Sequence, residues 1–135
     1  MTENKIPVFL RDGERVRFDY PFGEITKWWT VRCHDDRFII LTRQADFKPK
    51  GVSIYTIIDR VREVRGPCNL IGGGWDIDEP GGPEALLRAL NYHLEVIARL
   101  KAGEGSVTLE EASVEVSYRD NVPPNIIEVR PAVLQ

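Results

Sequence analysis

One segment of this chain has a helical period, and most of the rest has a strand period. That imbalance limits the folds open to it. In "GGPEALLRALNYHLEVIARLKAG" the residues Leu86, Leu87, Leu90, Leu94, Ile97 and Leu100 recur at three- and four-residue steps, giving one apolar stripe. Pro83 suits a first helical turn, where its missing N–H would be unpaired anyway. Glu84 favours the positive end of the helix dipole, and Lys101 falls in the last turn. Gly103 can take the left-handed conformation that ends a helix. The spacing predicts one long helix over 83–102. A lone amphipathic helix has no second helix to pack on, so a sheet must form the other wall of the core.

The strands that could form that sheet are legible on both sides of the helix. In "RVRFDY", Val16, Phe18 and Tyr20 alternate with Arg15, Arg17 and Asp19, the period of two of a half-buried strand. "KWWTVRC" and "RFIILTRQ" flank "HDD" and form the best hairpin signal in the chain. Residues 38–41 are apolar on both faces, which predicts a central strand. "VSIYTIIDRVREV" predicts a further strand that bends near Asp59. "SVEVSYRD" and "NIIEVRP", joined through "NVPP", predict a closing hairpin over 112–130. The expected organisation is a single domain over 1–135: strand-rich 5–64, loop 65–82, helix 83–102, closing hairpin 112–130. The expected class is α+β. The expected architecture is a small, strongly bent antiparallel sheet, for which an SH3-like barrel is one form, with one long helix packed on it.

Composition narrows the function classes. Hydrophobic residues make up 42% of the chain and charged residues 29%, the balance of a soluble globular domain. No apolar run is long enough to cross a membrane, and the first residues lack a signal-peptide pattern, so a location in the cytoplasm of the cell that makes it is expected. The net charge of −3 gives no bulk attraction for nucleic acid. The charge is uneven, however. Basic residues outnumber acidic ones over 43–66, and the reverse holds over 76–111. Two cysteines, Cys33 and Cys68, make no disulfide framework.

The stretch "RGPCNLIGGGWD" raises a question of phosphate binding. A phosphate loop needs a lysine followed by Ser or Thr at a helix start. Here Gly72, Gly73 and Gly74 lead into Trp75 and Asp76, and the helix begins about eight residues later. Dinucleotide spacing is missing too. No metal-ligand spacing joins Cys33, His34, Asp35, Asp36, Cys68 and His93, so neither a metal nor a cofactor is expected. His93 falls on the apolar stripe and fits a core-edge histidine. The carboxylate pairs Asp35/Asp36 and Asp76/Asp78 lie in turns, which favour aspartate without any catalysis. No catalytic residue is assigned.

Three binding or chemical readings remain. Phe47, Lys48, Lys50, Arg65, Asn69 and Trp75, with Arg119 and Asn121 beside them, bring together the aromatic and cationic residue types that anchor protein interfaces. Arg43, Lys48, Lys50 and Arg60 around Phe47 could instead track a nucleic-acid backbone, with the ring stacking on bases. Third, Cys68, with Arg65 nearby, could be an activated thiol.

The segments "DDRFIILTRQADFKPKG", "YTIIDRVREVRGPCNLIGGGWD" and "VEVSYRDNVPP" resemble a group of small proteins of bacteriophages and prophages, especially those of actinobacteria. In that group the segments recur in this order. The chain departs from the pattern at Glu63, where glycine is expected, and at Asp120 before Asn121. The resemblance implies a phage or prophage origin and no particular activity. The expected function is therefore that of a non-enzymatic accessory module that binds a host or phage protein. Nucleic-acid binding is the alternative, and a thiol enzyme is the third reading.

Overall fold

The computed structural model of the chain describes residues 4–5, 9–20, 27–44, 53–63, 66–72, 82–101, 106–109, 114–118 and 125–132. Among them are nine strands and two helices. In chain order these are β1 (Asn4–Lys5), β2 (Arg15–Tyr20), β3 (Trp29–His34), β4 (Phe38–Gln44), β5 (Ser53–Glu63) and β6 (Gly66–Gly72). Then come α1 (Gly82–Tyr92), α2 (Leu94–Lys101), β7 (Ser106–Leu109), β8 (Val114–Tyr118) and β9 (Asn125–Arg130). The protein is α+β. The strands form one antiparallel sheet in the order β7-β8-β6-β5-β4-β3-β2-β9, an open path among the described residues, and β1 pairs with β5 off that path.

The β4–β5 ladder lies near the middle and is buried on both faces. Its register places Ile39 opposite Ile58 and Ile40 opposite Ile57. Alternation then divides these residues between two cores. Cys33, Phe38, Ile40, Tyr55 and Ile57 pack with Leu86, Ala89, Leu90 and Ile97 of the helices. Ile39, Leu41 and Ile58 pack on the other face with Leu10, Val16, Phe18, Trp29 and Val31, and with Ile126 of β9 against them.

A bulge in β3 lets one strand serve both cores. Val31 lies opposite Leu41, but Cys33 lies opposite Ile40, so Arg32 is one residue more than β4 provides. That extra residue reverses the alternation. Val31 therefore joins one core while Cys33, two residues later, joins the other. Arg32 Nη1 donates to Thr42 Oγ1 at 3.3 Å across the ladder.

Three expectations need correction. First, the span expected as one helix over 83–102 holds two, α1 and α2, in its described part. The His93 N–H donates to the Ala89 carbonyl at 3.0 Å, and the His93 carbonyl accepts from both Val96 and Ile97. The buried positions Leu86, Leu90 and Ile97 keep helical spacing across the break. Just before the break, Asn91 Nδ2 donates to the Leu87 carbonyl at 3.0 Å. Leu94, expected on the stripe, is 40% exposed. Second, residues 66–72 lie in the segment expected to be a loop, yet form β6 between β5 and β8. Pairing on both sides overrides the poor strand propensity of its Gly and Pro. Third, β8 and β9 do not make a hairpin. β8 pairs with β6 and β7, whereas β9 pairs with β2.

Ahead of β2 the chain turns at Gly13, whose φ is +87°. Its N–H donates to the Val31 carbonyl at 2.8 Å. A Cβ there would stand 2.9 Å from Ala132 Cβ. Gly13→Ala is expected to lower stability by about 2 kcal/mol, from the left-handed backbone and this contact together. Urea unfolding measures it, and the penalty should shrink, but not vanish, in an Ala132→Gly background.

Candidate functional site

The β4–β5 ladder ends at Phe38 opposite Asp59, and there the sequence places charge inside the sheet. Asp59 is fully buried. Arg37 answers it with a two-pronged contact: Nε to Oδ1 at 3.0 Å and Nη2 to Oδ2 at 3.1 Å. Paired this way, a buried carboxylate is tolerated; with its partner removed it would cost several kcal/mol. The turn carrying Arg37 is held by Asp35. Asp35 Oδ1 accepts from the N–H groups of Arg37 and Phe38, both at 2.8 Å, and Oδ2 accepts from Asn91 Nδ2 of α1. The aspartates of "HDD" thus include a turn-forming one, as turn chemistry predicts.

Arg60 follows Asp59 and sits in a second irregularity. Asp59 lies opposite Cys68, but the next β5–β6 pair is Arg62 with Pro67, so Arg60 and Val61 are extra residues on β5. On the other side of β5, Val61 and Arg62 lie opposite Lys5 and Asn4 of β1. The bulge re-aims Arg60. It is 8% exposed. Its backbone N–H donates to the Arg37 carbonyl at 2.8 Å, and its Nη1 donates to the Asp36 carbonyl at 2.9 Å. Its guanidinium lies 4.7 Å from the centre of the Phe9 ring. Its Nε is buried without a hydrogen-bond partner.

These residues line an open cleft of about 900 Å³. Leu10 and Ile39 are its apolar wall, Arg60 and Arg11 its cations, and Glu14, Asp35 and Asp36 its carboxylates, with His34 and Phe9 completing the lining. Phe9 is 80% exposed although its ring is pinned over Arg60. His34 is oriented by Asp12, whose Oδ1 lies 2.6 Å from Nδ1. The arrangement suits recognition of a polar chain by mixed charge around an aromatic edge. Among the described residues no group of three or more His, Cys, Asp or Glu side chains is placed to hold a metal.

The residues singled out by sequence are placed as follows. Phe47, Lys48, Lys50, Arg65, Trp75, Arg119 and Asn121 lie outside the described residues. Asn69 and Cys68 are in β6, opposite Ile58 and Asp59 in register. Arg43 stacks over Trp29 at 5.2 Å, opposite Ile54, and Arg60 lies six residues farther along β5. That separation is about 20 Å along the strand. Cys33 is buried against α1, and burial first, then the nearby Glu84 and Asp12 carboxylates, push its thiol up to about 12.

The neighbouring tryptophans differ in environment, Trp29 opening β3 and Trp28 lying just before it. Trp29 is buried, whereas Trp28 is half-buried between Arg130 at 4.3 Å and Arg17 at 5.0 Å. Glu128 joins both arginines, and their hydrogen bonds, Arg17's first, hold its carboxyl below the usual range. Phe9, Arg11 and Glu14 had no signal as isolated residues. The charged pair Asp59–Arg60 inside an apolar strand was the readable sign of this site.

No protein-family model, curated protein or solved structure matches the chain. Among the described residues no helix is long and apolar enough to cross a membrane.

Cys33 yields a pH prediction. Its folded pKa is raised from 9.0 to about 12, so the unfolded chain ionises first. Stability should therefore fall as pH rises from 9.0 towards about 12, and Cys33→Ala should flatten that part of the profile. At pH about 8 the native Cys33 thiol should resist an aromatic disulfide reagent and react once the chain is unfolded.

Proposed function

We propose that this chain is a non-enzymatic binding module whose cleft beside the β3–β4 turn receives a segment of a protein partner. One observation carries the reading: Phe9, 80% exposed, is held over the guanidinium of the buried Arg60 at the edge of the cleft. An exposed aromatic on a pre-positioned arginine is the kind of anchor that dominates protein interfaces. The cleft lies between parts of the chain that tertiary bonds already fix, so little ordering cost falls on binding. A phage or prophage origin, and with it a cytoplasmic setting in a bacterial host, rests on the three segments quoted above.

An SH3-like bend of the sheet belongs to the same proposal, and chain length supports it. Tyr118 ends β8 and Asn125 begins β9, seven residues apart, a span of at most about 25 Å. Six strand spacings separate β8 from β9 in the sheet order, about 29 Å if the sheet were flat. Six antiparallel steps also leave β8 and β9 pointing the same way. These lengths favour a curled sheet over a flat one.

Affinity capture from a bacterial host lysate tests the binding reading, using the wild-type chain and a Phe9→Ala variant matched for urea midpoint. A specific protein should be retained by the wild type and reduced about tenfold with Phe9→Ala. Equal capture by both would contradict the proposal. So would salt-sensitive retention on a polyanion resin in place of any protein capture, which is the nucleic-acid outcome.

A further inference from the structure

Among the described residues, the contacts of the Arg60 guanidinium include no carboxylate. Its neighbour Asp59 is committed to Arg37 through both carboxylate oxygens. Arg60 itself has a carbonyl on Nη1, an aromatic ring over its plane and a buried Nε with no partner. It is 8% exposed, and what remains exposed lies on the cleft. A guanidinium removed from water without an anion is costly, and a carboxylate arriving in the cleft would repay part of that cost by a charge-assisted bond.

The rim restricts what kind of anion can arrive. Glu14 and Asp36 stand on the same cleft as Arg60. Glu14 Oε1 accepts from the Arg11 N–H, so that carboxylate is fixed at the rim. A dianion such as phosphate would meet repulsion there. A single carboxylate followed closely by a cation would satisfy both ends.

We infer that the cleft takes a peptide segment by placing a side-chain carboxylate on Arg60 and an adjacent lysine or arginine against Glu14 and Asp36. Phe9 then covers the aliphatic part of the bound segment. The inference rests on the protein-binding reading and names the chemistry that the partner segment must carry.

The test is a set of NMR titrations of the full chain, following the Arg60 Nε–H and the backbone amides of Phe9, Arg37 and Arg60. The probes are blocked Glu-Lys, Gln-Lys and Glu-Ala dipeptides, acetate and inorganic phosphate. Blocked Glu-Lys should give saturable shifts at these groups, with a Kd on the order of 1–10 mM. Gln-Lys should bind about tenfold or more weaker, and phosphate should also be weaker than Glu-Lys. Arg60→Lys keeps the charge but loses the fork, and should weaken both glutamate-bearing probes. Glu14→Gln should weaken Glu-Lys, whereas Glu-Ala, relieved of rim repulsion, should bind no more weakly than before.

The inference is overturned if Glu-Lys and Gln-Lys behave alike on the wild-type chain, a comparison that needs no variant to fold. It is also overturned if phosphate binds more tightly than Glu-Lys, or if the cleft resonances do not move. Partner capture that depends on Phe9 but is indifferent to the carboxylate would leave the binding reading standing and remove this one. Carboxylate-dependent titration without any captured protein would contradict the protein-partner reading and leave only the carboxylate preference of Arg60 standing.

Discussion

Burial of the β4–β5 ladder on both faces is the constraint from which the rest of the structure follows. Ile39, Ile40, Leu41, Ile57 and Ile58 are each no more than 1% exposed, and they alternate between two separate cores. Each such side chain contributes roughly 1.5–3 kcal/mol by leaving water. A ladder with two apolar faces needs cover on both. The helices provide it on one side through Leu86, Leu90 and Ile97. On the other side β2, β3, the segment at Leu10 and Ile126 of β9 supply the described contacts. The β3 bulge at Arg32 follows from this demand, because one strand has to contribute Val31 to one core and Cys33 to the other.

The same constraint explains why a cleft forms where it does. A strand buried on both faces has no solvated side on which to place a charge, so Asp59 and Arg60 need partners from elsewhere. Asp59 takes Arg37, and the turn bearing Arg37 is tied through Asp35 to Asn91 on α1. Arg60 leaves the regular ladder through the β5 bulge and meets Asp36 and Phe9. Helix, turn, buried ion pair and cleft wall thus form one connected polar system at the end of an apolar ladder. Such systems are rigid when satisfied. The partly unsatisfied Arg60 faces the cleft rather than the core.

Much of this was legible in the sequence wherever periodicity was local. The alternation of Val16 and Phe18, the hairpin arms around "HDD", the two-sided run at 38–41 and the bend near Asp59 all appear in the strands. The Leu86, Leu90 and Ile97 stripe appears as buried helix surface. What was not legible depends on partners distant in the chain. "GPCNLIG" has the residues of a turn and becomes a strand because β5 and β8 flank it. β9 follows β8 in sequence but pairs with β2 at the far end of the sheet. The helix break at His93 interrupts no buried position of the stripe, so no period reveals it. The cleft joins Phe9 and Glu14 to Asp36 and Arg60 across most of the first half of the chain. Sequence could point to Asp59–Arg60 as an anomaly, but not to the residues that would surround it.

The most direct test is hydrogen exchange at the Arg60 Nε–H, compared with the amides of Ile39 and Ile58 and with the Nε–H of exposed Arg130. If the buried ladder fixes the cleft wall, the Arg60 Nε–H gives a resolved, slowly exchanging resonance near neutral pH. Its opening free energy should then approach that of the Ile39 and Ile58 amides. Exchange of Arg60 as fast as that of Arg130, while those amides stay protected, would contradict the account.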